Sequence, residues 1–118
     1  MKHQEILKAG TSIWLDDLSR SRLISNSSAP EKSLLHLTRT AQVVGVTTNP
    51  AIFANALKDA DTYQDAISAL RGKSADEAIR LITTSDVRTA CEQLQDIFEA
   101  TSGVDGRVSI EVDPRLAH

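Results

Sequence analysis

Polar side chains stand at three places where the chain reads as the end of a buried strand: Asp16 after Ser12-Ile13-Trp14-Leu15, Thr47-Thr48-Asn49 after Val43-Val44-Gly45-Val46, and Glu111 within Val108-Ser109-Ile110-Glu111-Val112. Both faces of a parallel sheet are ordinarily covered and apolar, so polar residues on such strands mark a face that looks onto a site. Parallel α/β enzymes carry their reactive groups at the C-terminal ends of strands. Glu111 is the sharpest anomaly, because a carboxylate between Ile110 and Val112 is costly to bury unpaired. Inside a barrel near its mouth, desolvation would make it a general acid–base; on an exposed edge strand it is an ordinary solvated acid. From the residues alone both readings stand. Asp16 by itself reads as an acid at a helix start. Asn49 is pushed out of the helical region by Pro50 and reads as an N-cap.

The elements that must position these residues follow from periodicity and punctuation. Strands are expected over 12–16, 43–48 and 108–112, where β-branched and apolar residues run or alternate. On the first, Ser12, Trp14 and Asp16 share one face; on the third, Ser109, Glu111 and Asp113 do. Between the strands the pattern is helical. A lead-in helix is expected over 2–9 and another over 18–24, capped by Asp17. A third helix starts from the capping-box spacing of Ser28 and Glu31 and carries Leu34, Leu35, Leu37 and Ala41. Helices are also expected over 50–57 and over 60–70, with Tyr63, Ile67 and Leu70 on one face and Gly72 as the stop. Ser74 and Glu77 open a helix to about residue 83, Thr84-Ser85-Asp86 breaks it, and Val87, Ala90, Cys91, Leu94, Ile97 and Phe98 mark the next helix. Cys91 is expected to be a buried, inert thiol on that stripe. Gly103 and Asp105-Gly106 then turn the chain into the third strand.

Strands separated by helices pair in parallel through right-handed crossovers. The fold class is therefore α/β. Three strands cannot close a barrel or build a well-covered doubly wound sheet. The chain stops at His118, just after a strand, and is expected to be a piece of a larger α/β protein.

Composition excludes several function classes. Formal net charge is −3 and aromatic content 3%, which speak against a basic nucleic-acid surface or base-stacking platforms. A single cysteine permits no internal disulfide, and His3, His36 and His118 show no metal-ligand spacing. No stretch has the length and apolarity of a signal peptide or a membrane span, so a cytoplasmic location is the default expectation.

Taken together, Trp14-x-Asp16-x-x-Ser19-Arg20, Val46-Thr47-Thr48-Asn49-Pro50 and Val108-Ser109-Ile110-Glu111-Val112 resemble transaldolase, in particular its longer bacterial form. The resemblance covers residues from about 11 to 118. It implies that the chain is the first part, about three strands with their connecting helices, of a TIM (β/α)8 barrel whose site lies at the C-terminal mouth. It implies transfer of a dihydroxyacetone unit from a ketose phosphate to an aldose phosphate in the pentose phosphate pathway, through a Schiff base on a strand lysine, with no cofactor and no metal. By the same resemblance Asp16 takes the proton from the C4 hydroxyl, Glu111 acts through a water in Schiff-base formation, and Thr47, Asn49 and Ser109 line the substrate. Two carboxylates in different environments can divide roles in this way. The family's lysine lies on a fourth strand. Lys2, Lys8, Lys32, Lys58 and Lys73 all fall in expected helices or loops, and Arg107 and Arg115 match no phosphate-binding motif of the family. The 118-residue chain is therefore expected to be inactive alone and to self-associate through open strand edges.

Overall fold

A computed structural model describes residues 5, 8–23, 30–49, 58 and 60–111. The expected helix over 50–57, the Ser28 cap and all residues after Glu111 lie outside these, as does most of the expected lead-in helix. Of that stretch residues 5, 8 and 9 are described, and the Ala9 N–H donates to the Glu5 carbonyl.

The described elements run in the order β1 (Ile13–Leu15), α1 (Arg20–Leu23), a 3-10 turn (Pro30–Lys32), α2 (Leu34–Thr40), β2 (Val43–Thr48), α3 (Ala60–Ala69), α4 (Ala75–Ala100) and β3 (Arg107–Ile110). The strands form one sheet in the order β1-β2-β3, with both pairings parallel. β2 lies in the centre because its β-branched run, Val43, Val44, Val46, Thr47 and Thr48, suits a ladder bonded on both sides. Ile13 pairs with Val43 and Trp14 with Gly45, so the register slips by one and Val44 is left over in a bulge. The slip brings the Trp14 indole over Gly45, where any Cβ would collide with the ring. Gly45 is thus required by close approach rather than by backbone conformation.

The core lies between the sheet and the helices. Leu18, Leu34, Val43, Val46, Ala90 and Leu94 are its buried residues, flanked by Ile13, Leu15, Leu37, Val87, Ile97 and Val108. A smaller cluster joins Tyr63 and Ile82 to Ala66 and Leu70. Ile67, expected on that same face of α3, is half exposed.

Three helix expectations are corrected. Thr84-Ser85-Asp86 does not break the chain, because α4 is a single helix of 26 residues. Its threonines satisfy their hydroxyls within the helix: Thr83, Thr84 and Thr89 donate to the carbonyls four residues back, those of Ile79, Arg80 and Ser85. Asp86 turns inward to tertiary partners. Cys91 is exposed rather than buried. The buried stripe runs through Ile82, Asp86, Ala90 and Leu94 at four-residue steps, and Cys91 lies one residue round from its centre. Asp17 does not cap α1, which begins three residues later; its carboxylate pairs with Arg22.

The caps follow local chemistry. Ser74 caps α4 by accepting from the Glu77 N–H at 3.2 Å, as its spacing predicts. Ser33 caps α2 by accepting from the His36 N–H. Gly106 closes the turn from α4 into β3 at φ 78, with the α4 backbone at Phe98 too close to admit a Cβ. Among the described residues no helix is long and apolar enough to cross a membrane.

Candidate functional site

The register sets the site. Trp14 stands level with Gly45 and Arg107, and Leu15 with Val46 and Val108. One step further along each strand, Asp16, Thr47 and Ser109 form a row across the sheet. Two residues beyond, on the same face, come Asn49 and Glu111. All five residues expected to line a site therefore share the face opposite Val46 and Val108, which pack against the helices.

Within that row Thr47 Oγ1 donates to Asp16 Oδ1 at 2.6 Å. This bond, between residues 31 positions apart, ties the end of β1 to the middle strand. It also replaces the helix-start reading of Asp16, whose described partner is a strand hydroxyl. Asp16, Ser109 and Glu111 are exposed, and Thr47 and Asn49 are partly buried. Glu111 follows β3 rather than lying within it, and its N–H extends the ladder by donating to the Thr48 carbonyl at 3.1 Å. Strand spacings place Asp16 and Glu111 about 12 Å apart along the backbone, too far to share a proton directly. Thr48 points to the opposite face and is buried, and its hydroxyl finds no partner among the described residues.

The loop carrying Asp16 is anchored by a network that sequence reasoning missed. The Arg20 backbone N–H donates to the Tyr63 hydroxyl at 2.8 Å, and that hydroxyl donates to Asp86 Oδ2 at 2.6 Å. The Arg20 guanidinium donates through Nε to Asp86 Oδ1 at 2.9 Å, its Nη2 stands in ion-pair contact with the same oxygen at 2.9 Å, and it lies 4.8 Å from the centroid of the Tyr63 ring. Burial, reinforced by the hydrogen bond to Asp86 and its negative charge, pushes the Tyr63 hydroxyl above its ordinary value, against a smaller opposing effect of Arg20. The signal was present in the sequence as an acid at the centre of an otherwise apolar four-residue stripe, Ile82-Asp86-Ala90-Leu94.

The described lysines, Lys8, Lys32, Lys58 and Lys73, stand in helices or turns and none on a strand. No group of three or more His, Cys, Asp or Glu among the described residues is placed to hold a metal. The arrangement offers one carboxylate oriented by a hydroxyl, a second carboxylate further along the same face, and hydroxyl and amide groups between them. That set can move protons and bind a polyol, but among the described residues it has no amine nucleophile on its strands.

The sequence model of the Transaldolase/Fructose-6-phosphate aldolase family matches residues 13–118. Curated relatives include a transaldolase of Kocuria rhizophila, 55% identical over 116 residues, which are 97% of this chain and 30% of that protein. Transaldolase 1 of Streptomyces coelicolor is 50% identical over 98% of this chain and 29% of its own length. A transaldolase of Mycobacterium bovis is 55% identical over 93% of this chain and 28% of its own. The chain thus spans about 30% of the length of the curated relatives it matches.

Proposed function

This chain belongs to the transaldolase/fructose-6-phosphate aldolase family, and on that premise we propose that residues 1–118 are the N-terminal portion of a TIM (β/α)8 barrel and carry part of a transaldolase site. The observation that carries the reading is the shared face of β1, β2 and β3, with Asp16 held by Thr47 and Ser109 level with both.

The reaction moves a dihydroxyacetone unit from sedoheptulose 7-phosphate to glyceraldehyde 3-phosphate, yielding erythrose 4-phosphate and fructose 6-phosphate. A lysine outside this chain forms the Schiff base with the donor ketone, and the iminium takes up the electron pair as the carbon–carbon bond breaks. Asp16 accepts the C4 hydroxyl proton in that step. The Thr47 hydroxyl bond fixes the carboxylate and leaves its second oxygen for the substrate. Glu111 transfers protons through a water while the Schiff base forms, and its distance from Asp16 suits two separate steps. Thr47, Asn49 and Ser109 bind the sugar hydroxyls. No cofactor, metal, nucleic acid or membrane takes part, and the enzyme works in the cytoplasm.

The 118-residue chain alone has no strand lysine among its described residues and forms no Schiff base. In isolation it self-associates through its open strand edges. A non-catalytic, self-associating role is the second reading, favoured by the exposure of β3 and of Ile110 at its end.

The test replaces the matching segment of the Kocuria rhizophila protein with this chain. The hybrid is expected to turn over, and Glu111→Gln to lower its kcat by about 10²–10⁴-fold, the usual worth of a general acid–base. Borohydride trapping of a dihydroxyacetone adduct on the 118-residue chain alone would overturn the reading, as would a folded hybrid indifferent to Glu111→Gln.

A further inference from the structure

Asp16 stands just past β1 and α1 begins at Arg20, so only residues 16–19 connect the strand to the helix. Thr47 holds the Asp16 carboxylate by one oxygen. A single hydrogen bond lets the carboxylate turn about it, so the direction from which the side chain reaches the site is set by the backbone of this short loop. Leu18 pins the middle of the loop in the core. The far end is held from two other helices. The N–H of Arg20, the first residue of α1, is one of the donors that a helix start leaves without a partner inside the helix. Asp17 does not supply that partner, because its carboxylate pairs with Arg22. The Tyr63 hydroxyl of α3 does, at 2.8 Å, and it donates in turn to Asp86 of α4 at 2.6 Å. Asp86 also holds the Arg20 guanidinium, which donates from Nε and stands in ion-pair contact through Nη2. Tyr63 and Asp86 are both buried by the described elements themselves.

Stability alone does not call for charge at this place. Buried ionic groups replaced together by apolar ones of similar volume often leave a fold as stable or more so. What an apolar cluster does not supply is direction. The Tyr63 hydroxyl must lie in line with both the Arg20 N–H and Asp86, and the guanidinium must meet the carboxylate edge-on. The polar trio therefore sets where α1 starts and how the loop leaves β1.

Resting on the transaldolase reading above, in which Asp16 takes the C4 proton, we propose that Tyr63 and Asp86 are positioning residues for that step. Neither touches the substrate. They fix Arg20 at the start of α1, and through residues 17–19 they fix the point from which the Asp16 carboxylate reaches the C4 hydroxyl. A general base acts only within hydrogen-bond reach of its proton, and a misplacement of about 1 Å can cost about 10²-fold. Formation of the Schiff base uses Glu111 and a lysine outside this chain, so the network leaves that step alone. The spacing Asp16-x-x-Ser19-Arg20 thereby gains a reason: the first residue acts and the last is held.

The experiment gives the hybrid enzyme sedoheptulose 7-phosphate, quenches with borohydride at successive times and reads intact mass. Tyr63→Phe keeps the buried ring and removes only the hydroxyl. Its seven-carbon adduct is expected to form at the parental rate and to convert to the three-carbon adduct about 10–100-fold more slowly. Arg20→Leu/Tyr63→Phe/Asp86→Leu is expected to recover stability against urea and yet to convert as slowly as Tyr63→Phe, which a merely structural role would not produce. Each variant is read on the folded hybrid, and either alone decides the matter. Conversion at the parental rate, or an equal slowing of Schiff-base formation, would overturn the positioning role. Asp16→Asn runs beside them. If it holds the seven-carbon adduct while Tyr63→Phe converts normally, only the positioning role falls; if Asp16→Asn itself converts at the parental rate, the reading of Asp16 falls and this proposal with it.

Discussion

Asp86→Ala is expected to be the most damaging single change outside the site face. Asp86 is 2% exposed, accepts one hydrogen bond from Arg20 Nε and one from the Tyr63 hydroxyl, and forms an ion pair with the Arg20 guanidinium. The substitution strands two donors at once. Tyr63 is fully buried, and the Arg20 side chain retains 23% of its exposure, too little for water to take over the lost partner completely. Removing one member of a buried pair costs about 3–5 kcal/mol, most of it the desolvation of the group left behind. A domain of ordinary stability has about 5–15 kcal/mol in total. With a urea slope of about 1.5 kcal/mol per molar, the midpoint should fall by about 2 M or more. The assay is urea unfolding followed by circular dichroism at pH 7, at one fixed protein concentration because association also stabilises. The triple change Arg20→Leu/Tyr63→Phe/Asp86→Leu should recover most of the loss, since it removes the donors along with the acceptor. An Asp86→Ala midpoint within about 0.3 M of the parent, at unchanged slope, would refute the network as the anchor of the loop between Asp16 and α1.

Two further outcomes follow from the same contacts. The folded Tyr63 hydroxyl is raised above its unfolded value of about 10, so its contribution is fully present below about pH 10 and is lost as pH rises beyond it. Tyr63→Phe should therefore remove a stability slope of up to about 1.4 kcal/mol per pH unit above pH 10, seen as urea midpoints that no longer fall with pH. Gly45→Ala must displace the indole of Trp14, the sole tryptophan, at a cost of about 1–3 kcal/mol; its emission should shift to the red, and an unchanged spectrum with an unchanged midpoint would contradict the packing.

Much of the fold was legible because its signals are local. The β-branched run Val43–Thr48 identifies the central strand, Ser74 with Glu77 identifies the start of α4, and Gly103 with Gly106 identifies the turn into β3. The shared face of Asp16, Thr47 and Ser109 was legible too, since the two-residue period of a strand fixes faces once strands pair in parallel. What failed was non-local. Thr84-Ser85-Asp86 looks like a helix break only while Asp86 has no visible partner, and its partners are Arg20, 66 residues away, and Tyr63, 23 away. Tertiary contacts overrode local propensity there. Cys91 was misplaced for a related reason: the apolar stripe is wide enough to include it, but the contacts made by Ala90 and Leu94 centre the buried face one residue to its side. Ser33 was passed over as a cap because Ser28 with Glu31 offered the stronger motif.

The central claim, that Asp16 takes the C4 proton, is tested most directly by borohydride trapping on the hybrid enzyme given sedoheptulose 7-phosphate, read by intact mass. The parent hybrid is expected to carry a three-carbon dihydroxyacetone adduct. In Asp16→Asn the Schiff base still forms but the carbon–carbon bond does not break, so the trapped species should carry the intact seven-carbon sugar phosphate. A three-carbon adduct accumulating in Asp16→Asn at the parental rate would contradict the account.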